Sequence, residues 1–243
     1  MDASVVITLI RRRSGLTRTE LARRAGIDRT TLSRWEHGGQ APTLGALTAV
    51  AQAAGQTLEV SLATFDDSLA PLVRDQLKLD PIDRLAARLP DQQWDACRNA
   101  LEWVASRRWR VVLTGPVAGV LRGAPDRPRD GVVDLVPESM LRASDRLLSG
   151  GALPEEPDEL GEVWTIPGGG LVRVVERPPG TRGFVDVARH ADWIPFADAA
   201  GRQRRVRVAD AEDLLRIADA SWDPTGRSRR PGVAALVDVL RSG

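Results

Sequence analysis

The sequence has few of the residues that build disulfides and metal sites. Cys97 is the only cysteine, which excludes an intrachain disulfide and a metal site made of several cysteines. His37 and His190 are the only histidines, so no zinc site is expected. No cofactor is expected either. Lys78 is the only lysine. This indicates a bias toward arginine, so any single arginine is a weaker functional signal than usual.

Long hydrophobic runs are also absent. The apolar stretch 5–10 is too short to span a bilayer, and its basic residues follow it, unlike those of a signal peptide. With 42% hydrophobic and 28% charged residues, the composition is typical of a globular protein in water. We therefore expect a cytoplasmic protein that does not contact membranes.

Charge is distributed unevenly along the 243 residues, which are enough for one small and one medium domain. Residues 1–62 carry eight arginines and five acidic residues, a net charge of +3, whereas the whole chain has a net charge of +1. A basic segment joined to a nearly neutral remainder is typical of a module that binds a polyanion.

Residues 16–38 show the pattern of two short helices joined by a tight turn. Thr17 and Glu20 have the spacing of a capping box that opens the first helix. Gly26 permits the turn, and Asp28 is a good N-cap for the second helix. The segment therefore predicts a helix-turn-helix.

The second of these helices is the candidate recognition helix. Leu32 and Trp35, three residues apart, form its buried side. Arginine pairs with guanine in the major groove, and threonine contacts the thymine methyl group or a phosphate. The side chains left outward, with Thr31 at the flank, are Arg29, Thr30, Thr31, Ser33 and Arg34.

This segment resembles the lambda-repressor-like (XRE) helix-turn-helix family, from about residue 5 to residue 62. The resemblance implies an ion pair between Arg11 and Glu36, and DNA contacts by Thr17 and Arg18 where the second helix begins. It also implies a homodimer bound to double-stranded DNA, with half-sites about one helical turn apart. The alternative is a helix-turn-helix that contacts only proteins. We expect residues 1–62 to form an all-α DNA-binding domain.

The rest of the chain mixes helical and strand-like patterns. Residues 57–62 predict a short strand or an extended exit, and residues 63–90 a helical linker interrupted at prolines. Beyond residue 90 the helical segments are 91–107, 117–122, 138–148, 210–220 and 233–240. The strand-like runs are 110–115, 132–136, 162–166, 170–176, 183–188 and 205–209. This order predicts an α/β or α+β domain with a mixed sheet over residues 91–243.

Three residues of this second domain form a candidate ligand site. Gly115 follows a strand, where its backbone N–H could approach a triphosphate. Asp134 lies on the next strand and Asp186 in a later strand-like run. Strand carboxylates hold the two divalent ions of nucleotidyl transfer. The alternative is that both aspartates are ordinary polar residues at strand ends.

From about residue 79 onward, the chain resembles the nucleotidyltransferase fold, in particular the minimal and abortive-infection types found in toxin–antitoxin pairs. Three positions depart from that pattern. Pro116 removes a backbone donor from the turn, Val132 stands where the first of two strand acids is expected, and Ala218 stands where a basic residue is expected. We therefore expect a degenerate domain without catalytic activity.

A basic cluster lies near the end of the second domain, at Arg202, Arg204, Arg205 and Arg207. It either contacts a nucleic-acid backbone or protects an edge strand by its charge. The tryptophans beyond residue 90 indicate core or interface positions. They are Trp94, Trp103, Trp109, Trp164, Trp193 and Trp222.

These patterns together predict a transcription regulator, specifically a repressor, with an antitoxin that represses its own operon as a special case. The second domain would sense a ligand such as a nucleotide, bind a partner such as a toxin, or dimerise. One alternative is an active metal-dependent nucleotidyltransferase directed by a DNA-binding head. The other is a scaffold whose second domain only assembles dimers.

Overall fold

The computed structural model describes residues 3–60, 68–107, 109–126, 128, 130–177, 180–220 and 231–242. The chain divides into two compact units, one made of residues 1–67 with 86–88 and the other of residues 68–85 with 89–243. Among the described residues, no helix is long and apolar enough to cross a membrane.

The first unit is helical, as expected. Its helices are α1 (Ala3–Ser14), α2 (Arg18–Ala25), α3 (Arg29–Glu36) and α4 (Leu44–Ala53). All four contribute buried residues to one core, which contains Ile7, Ile10, Leu21, Ala22, Leu32, Trp35, Val50 and Ala51. Residues 57–60 form no strand, so the short-strand alternative is wrong there, while residues 61 and 62 lie outside the described ranges.

Three helices precede the sheet: α5 (Ala70–Leu77), α6 (Pro81–Ala86) and α7 (Asp91–Ala105). As expected, each begins at or beside a proline, because the ring suits the first turn of a helix and no later one. The residues 68–85, which contain α5, belong to the second compact unit. Most of the described part of the expected linker 63–90 therefore belongs to the second unit, whereas residues 86–88 belong to the first.

The second unit is built on a seven-stranded sheet. Its strands are β1 (Val111–Thr114), β2 (Val133–Pro137), β3 (Leu153–Pro154), β4 (Gly161–Thr165), β5 (Leu171–Val175), β6 (Asp192–Ala197) and β7 (Gln203–Val208). The helices that follow and separate them are α8 (Gly115–Arg122), α9 (Met140–Ser149), α10 (Phe184–His190), α11 (Ala211–Ala220) and α12 (Pro231–Ser242).

The sheet is mixed, as predicted. Its strand order is β3-β4-β5-β2-β1-β7-β6, with β1–β7 and β2–β5 parallel and the other pairs antiparallel. In the middle of the sheet, Asp134 is paired in register with Thr114 on one side and with Arg173 on the other. This register places a carboxylate and a guanidinium on neighbouring strands.

Two parts of the sequence interpretation are wrong in this unit. Residues 183–188, expected to be a strand, lie in α10, where Val187 and Ala188 are adjacent and both buried. Such adjacent burial is incompatible with the alternation of a strand exposed on one face. Strands β3 and β6 were not expected. Strand β6 contains Pro195, but it is an edge strand, where a proline is tolerated.

The tryptophans are not all in the core. Trp94, Trp103 and Trp164 are buried, whereas Trp193 on β6 is 50% exposed. Trp222 lies outside the described residues. Trp193 is therefore not a core residue, and the interface alternative stays open for it.

Candidate nucleic-acid interface

Helix α2 begins at a complete capping box. The Thr17 N–H donates to Glu20 Oε2 at 2.9 Å, and the Glu20 N–H donates to Thr17 Oγ1 at 3.2 Å. The backbone and hydroxyl donors of Thr17 hold the pKa of Glu20 below its ordinary value. The helix ends at Gly26, whose φ of +67° is the left-handed conformation that glycine adopts without strain. The sharp turn into α3 depends on this residue.

Asp28 caps helix α3, the recognition helix of the pattern. Its side chain accepts the N–H of Thr30 at 2.7 Å. Hydrogen bonds from the hydroxyl and the backbone of Thr30 lower the pKa of Asp28. Leu32 and Trp35 are buried against the core, with exposures of 0% and 8%. Since both point inward, the orientation of α3 about its axis is fixed.

The opposite side of α3 faces solvent. Arg29, Thr30 and Arg34 are exposed, while Thr31 and Ser33 are half-buried at the flank. Within the described residues, neither Arg29 nor Arg34 forms an ion pair. Two unpaired guanidinium groups on the outer side of this helix are therefore available to an anion or a base edge.

Glu36, at the end of α3, binds two arginines from other helices. Arg11 Nε lies 2.6 Å from Glu36 Oε1, and Arg18 Nε is bonded to Glu36 Oε2. The carboxylate is 2% exposed and Arg18 is 28% exposed. The second contact was not expected, since the resemblance assigned Arg18 only to DNA. The Thr17 hydroxyl donates to Glu20 Oε2 in this structure. DNA contacts by Thr17 and Arg18 stay predictions.

The two ion pairs of Glu36 keep the only acidic residue of α3 away from the outer surface of the helix. A carboxylate beside Arg34 would oppose a phosphate, but here Arg11 and Arg18 neutralise it in the interior. The exposed surface of α3 is therefore cationic and polar, which suits duplex DNA.

In the second unit, two of the three candidate residues lie together. Gly115 opens α8 with a φ of +71°, and a Cβ atom at this position would collide with the carboxylate of Asp134. Glycine is therefore required by its backbone conformation and by the neighbouring side chain. This accounts for Gly115 without a phosphate ligand.

Arg173 binds the Asp134 carboxylate. Its Nη1 lies 2.8 Å from Asp134 Oδ1, and both side chains are buried. The Nη2 atom lies 2.8 Å from Asp158 Oδ2 and 3.6 Å from Asp130 Oδ2. Three carboxylates thus converge on one guanidinium, so a fixed positive charge stands where a divalent ion would need those oxygens.

Asp186 is not a strand carboxylate, contrary to expectation. It lies on α10 with its side chain half exposed, 3.5 Å from Arg189 of the same helix. Asp134 and Asp186 have different partners, and no described contact links them. The expected third acid of a metal site is therefore on the wrong kind of element.

Another group of possible metal ligands was not anticipated. Atoms of His190, Asp210 and Asp213 lie within 4.8 Å of one another. Arg182 Nη1 lies 3.4 Å from His190 Nδ1, 3.5 Å from Asp213 Oδ2 and 3.9 Å from Asp210 Oδ2. Burial, then the neighbouring Asp210, raises the pKa of Asp213. As at Asp134, an arginine (here Arg182) lies beside the carboxylates and supplies a positive charge there.

Comparison with known families agrees with the geometry of the first unit. Residues 7–60 match the model of the helix-turn-helix family HTH_3, which covers under a quarter of the chain. No curated protein matches the sequence. Residues 7–60 therefore form a helix-turn-helix domain of the XRE family, the DNA-binding domain of a transcription regulator.

Proposed function

We propose that this protein is a sequence-specific repressor that binds its operator as a homodimer through α3. One observation carries the proposal: among the described residues Arg29 and Arg34 of α3 are exposed and form no ion pair, while the only carboxylate within the helix is buried between Arg11 and Arg18. A helix-turn-helix used only for protein contacts has no need of such a cationic surface. Repression by operator occupancy places the protein in the compartment of its DNA, the cytoplasm.

In this proposal α3 lies in the major groove. Arg29, in its first turn, and Arg34, one and a half turns later, contact base edges, while Thr30, Thr31 and Ser33 contact bases or phosphates between them. The fixed inward positions of Leu32 and Trp35 hold these side chains in one register with the groove. The N-terminus of α2 at Thr17 and Arg18 contacts the backbone of the duplex.

We further propose that the second unit is a nucleotidyltransferase-like domain without catalysis, which binds a nucleotide or a protein partner, or dimerises. The support is the Arg173–Asp134 pair, because a carboxylate bound to a buried guanidinium is a poor ligand for Mg²⁺. An antitoxin that represses its own operon, with a toxin as partner, is a specific form of this proposal.

The first experiment is selection of duplexes from a random-sequence pool by the full-length protein, followed by affinity measurements on the enriched sequence. Arg29→Ala and Arg34→Ala should each weaken binding by about 1–3 kcal/mol and relax the sequence preference at one position. A homodimer predicts a palindromic sequence with half-sites about one helical turn apart.

Arg24→Ala is the matched control, since Arg24 is an exposed arginine on α2 that lies outside the proposed contacts. It should leave the sequence preference unchanged. If the pool yields no enriched sequence, or if Arg29→Ala and Arg34→Ala both bind like the wild type, then α3 is not the reading helix.

A further inference from the structure

The outer face of the β6–β7 hairpin carries an exposed aromatic ring beside two arginines. Along β6, Ile194 and Phe196 are buried, whereas Trp193 and Pro195 face solvent. The register pairs Trp193 with Arg207 and Pro195 with Arg205, which places these four side chains on one face. We call this set the hairpin face.

The arginines of the hairpin face contact the indole. The guanidinium carbon of Arg205 lies 4.7 Å from the centroid of the Trp193 ring, and that of Arg207 lies 5.7 Å away. These are cation–π distances. The contact holds two positive charges over an exposed flat surface.

No described acidic residue neutralises the charges of the hairpin face. In the described part of the chain, Arg205 and Arg207 form no ion pair with a carboxylate. The neighbouring acids are already bound, because Asp198 accepts from Arg202 at 2.8 Å and from Arg204 at 3.0 Å, and Asp192 pairs with Arg122. Among the described residues, Arg202 and Arg204 of the basic cluster have an acidic partner, and Arg205 and Arg207 have none.

From this pattern we infer that the hairpin face binds single-stranded nucleic acid. Arginines contact the phosphates, and an exposed indole stacks on a base, which is free to stack only when the strand is unpaired. A second protein chain added at the edge of the sheet is disfavoured, because Pro195 lacks the N–H that strand pairing needs. The inference is independent of the duplex-binding role proposed for α3.

The test uses the full-length protein carrying Arg29→Ala and Arg34→Ala, so that α3 contributes little. Fluorescence anisotropy would measure binding of labelled mixed-sequence strands of about 16 nucleotides, as RNA, as DNA and as the DNA duplex. The expected result is binding of single strands in preference to the duplex. The ratio of the affinities for the RNA strand and the DNA strand then shows which of the two nucleic acids the hairpin face prefers.

Trp193→Ala should weaken single-strand binding by about 5- to 100-fold, and Trp193→Phe by less, since a smaller ring still stacks. The Arg205→Ala/Arg207→Ala double variant should lower the slope of log affinity against log salt by about 1.4. Arg202→Ala is the control, because it also removes one positive charge from this hairpin. Its partner Asp198 stays paired with Arg204 in that variant. Arg202→Ala should change neither the single-strand affinity nor the salt slope.

Three outcomes overturn the inference. The protein does not bind single strands, or it binds the duplex as strongly as single strands. The third is that Trp193→Ala and the Arg205→Ala/Arg207→Ala variant bind single strands as tightly as the protein with the unchanged hairpin. Unfolding curves check that Trp193→Ala is folded, and the two arginine substitutions test the same surface without altering the ring. Failure of operator selection leaves this test unaffected.

Discussion

At the scale of single residues, the second unit buries one arginine and one aspartate as an ion pair in the middle of its sheet. Arg173 and Asp134 lie on adjacent central strands, with side-chain exposures of 8% and 5%. Each stands alone as a charged residue in an apolar run, at 171–175 and 133–137. Two buried opposite charges on neighbouring strands must meet, because an unpaired buried charge is too costly. This reasoning would have predicted the pair, had the strand order been known.

The cost of separating this pair is measurable. Arg173→Met leaves the buried carboxylate of Asp134 without its partner and should lower the free energy of unfolding by about 3–5 kcal/mol. Arg173→Met with Asp134→Val should recover most of this loss, since neither charge is then buried. Urea denaturation of the three proteins checks it. If the free energy of unfolding of Arg173→Met lies within about 1 kcal/mol of the wild-type value, the pair is not required for stability.

At the scale of secondary-structure elements, Arg84 of α6 joins the ends of two other helices. Its Nε donates to the carbonyl of Gln76 at 2.7 Å, its Nη2 to that of Leu77 at 3.3 Å and its Nη1 to that of Leu121 at 2.7 Å. Burial lowers the pKa of Arg84. The guanidinium satisfies carbonyls in the last turns of α5 and α8, which have no partner within their own helices.

Arg84→Ala should therefore destabilise the second unit by about 3 kcal/mol, because it removes a charged donor from the carbonyls at the ends of α5 and α8. Arg84→Lys should lose less, since an ammonium group still reaches some of them but lacks the planar fork. Thermal and urea unfolding give both values. Arg74→Ala, at an exposed position of α5, is the control; an equal effect of the two alanine variants would contradict this role.

Elements with a strong local signal could be predicted from the sequence, and others could not. Thr17, Gly26 and Asp28 fix the boundaries of α2 and α3 through capping, which depends only on neighbouring residues. Helix α10 has seven residues, too few to show a helical period. Pro195 is tolerated because β6 is at the edge of the sheet, and Arg18 meets Glu36 because two helices pack together. Both features depend on tertiary structure, which a local sequence pattern does not reveal.

At the scale of the whole molecule, the question is whether the second unit responds to a small ligand. Thermal unfolding against a panel of nucleoside triphosphates, with and without Mg²⁺, tests it. A nucleotide at 100 times its Kd should add about 2.7 kcal/mol of stability. We expect any such effect to be independent of Mg²⁺, because Arg173 occupies the carboxylates.

Label transfer then separates binding from catalysis. We expect no incorporation of labelled nucleotide into protein or nucleic acid, and therefore no change on Asp134→Ala. Mg²⁺-dependent incorporation that is lost in Asp134→Ala would establish an active enzyme and contradict the proposal of a degenerate domain.

The Arg173–Asp134 pair also bears on the evolutionary history open to this protein. A substitution that removes Arg173 leaves an unpaired buried acid, and one that places a second acid at Val132 adds negative charge to a buried position. Each step alone lowers stability, and both together leave two buried carboxylates with no positive charge between them. Selection for stability should therefore retain Arg173 and Asp134 together, because loss of either one leaves the other as an unpaired buried charge.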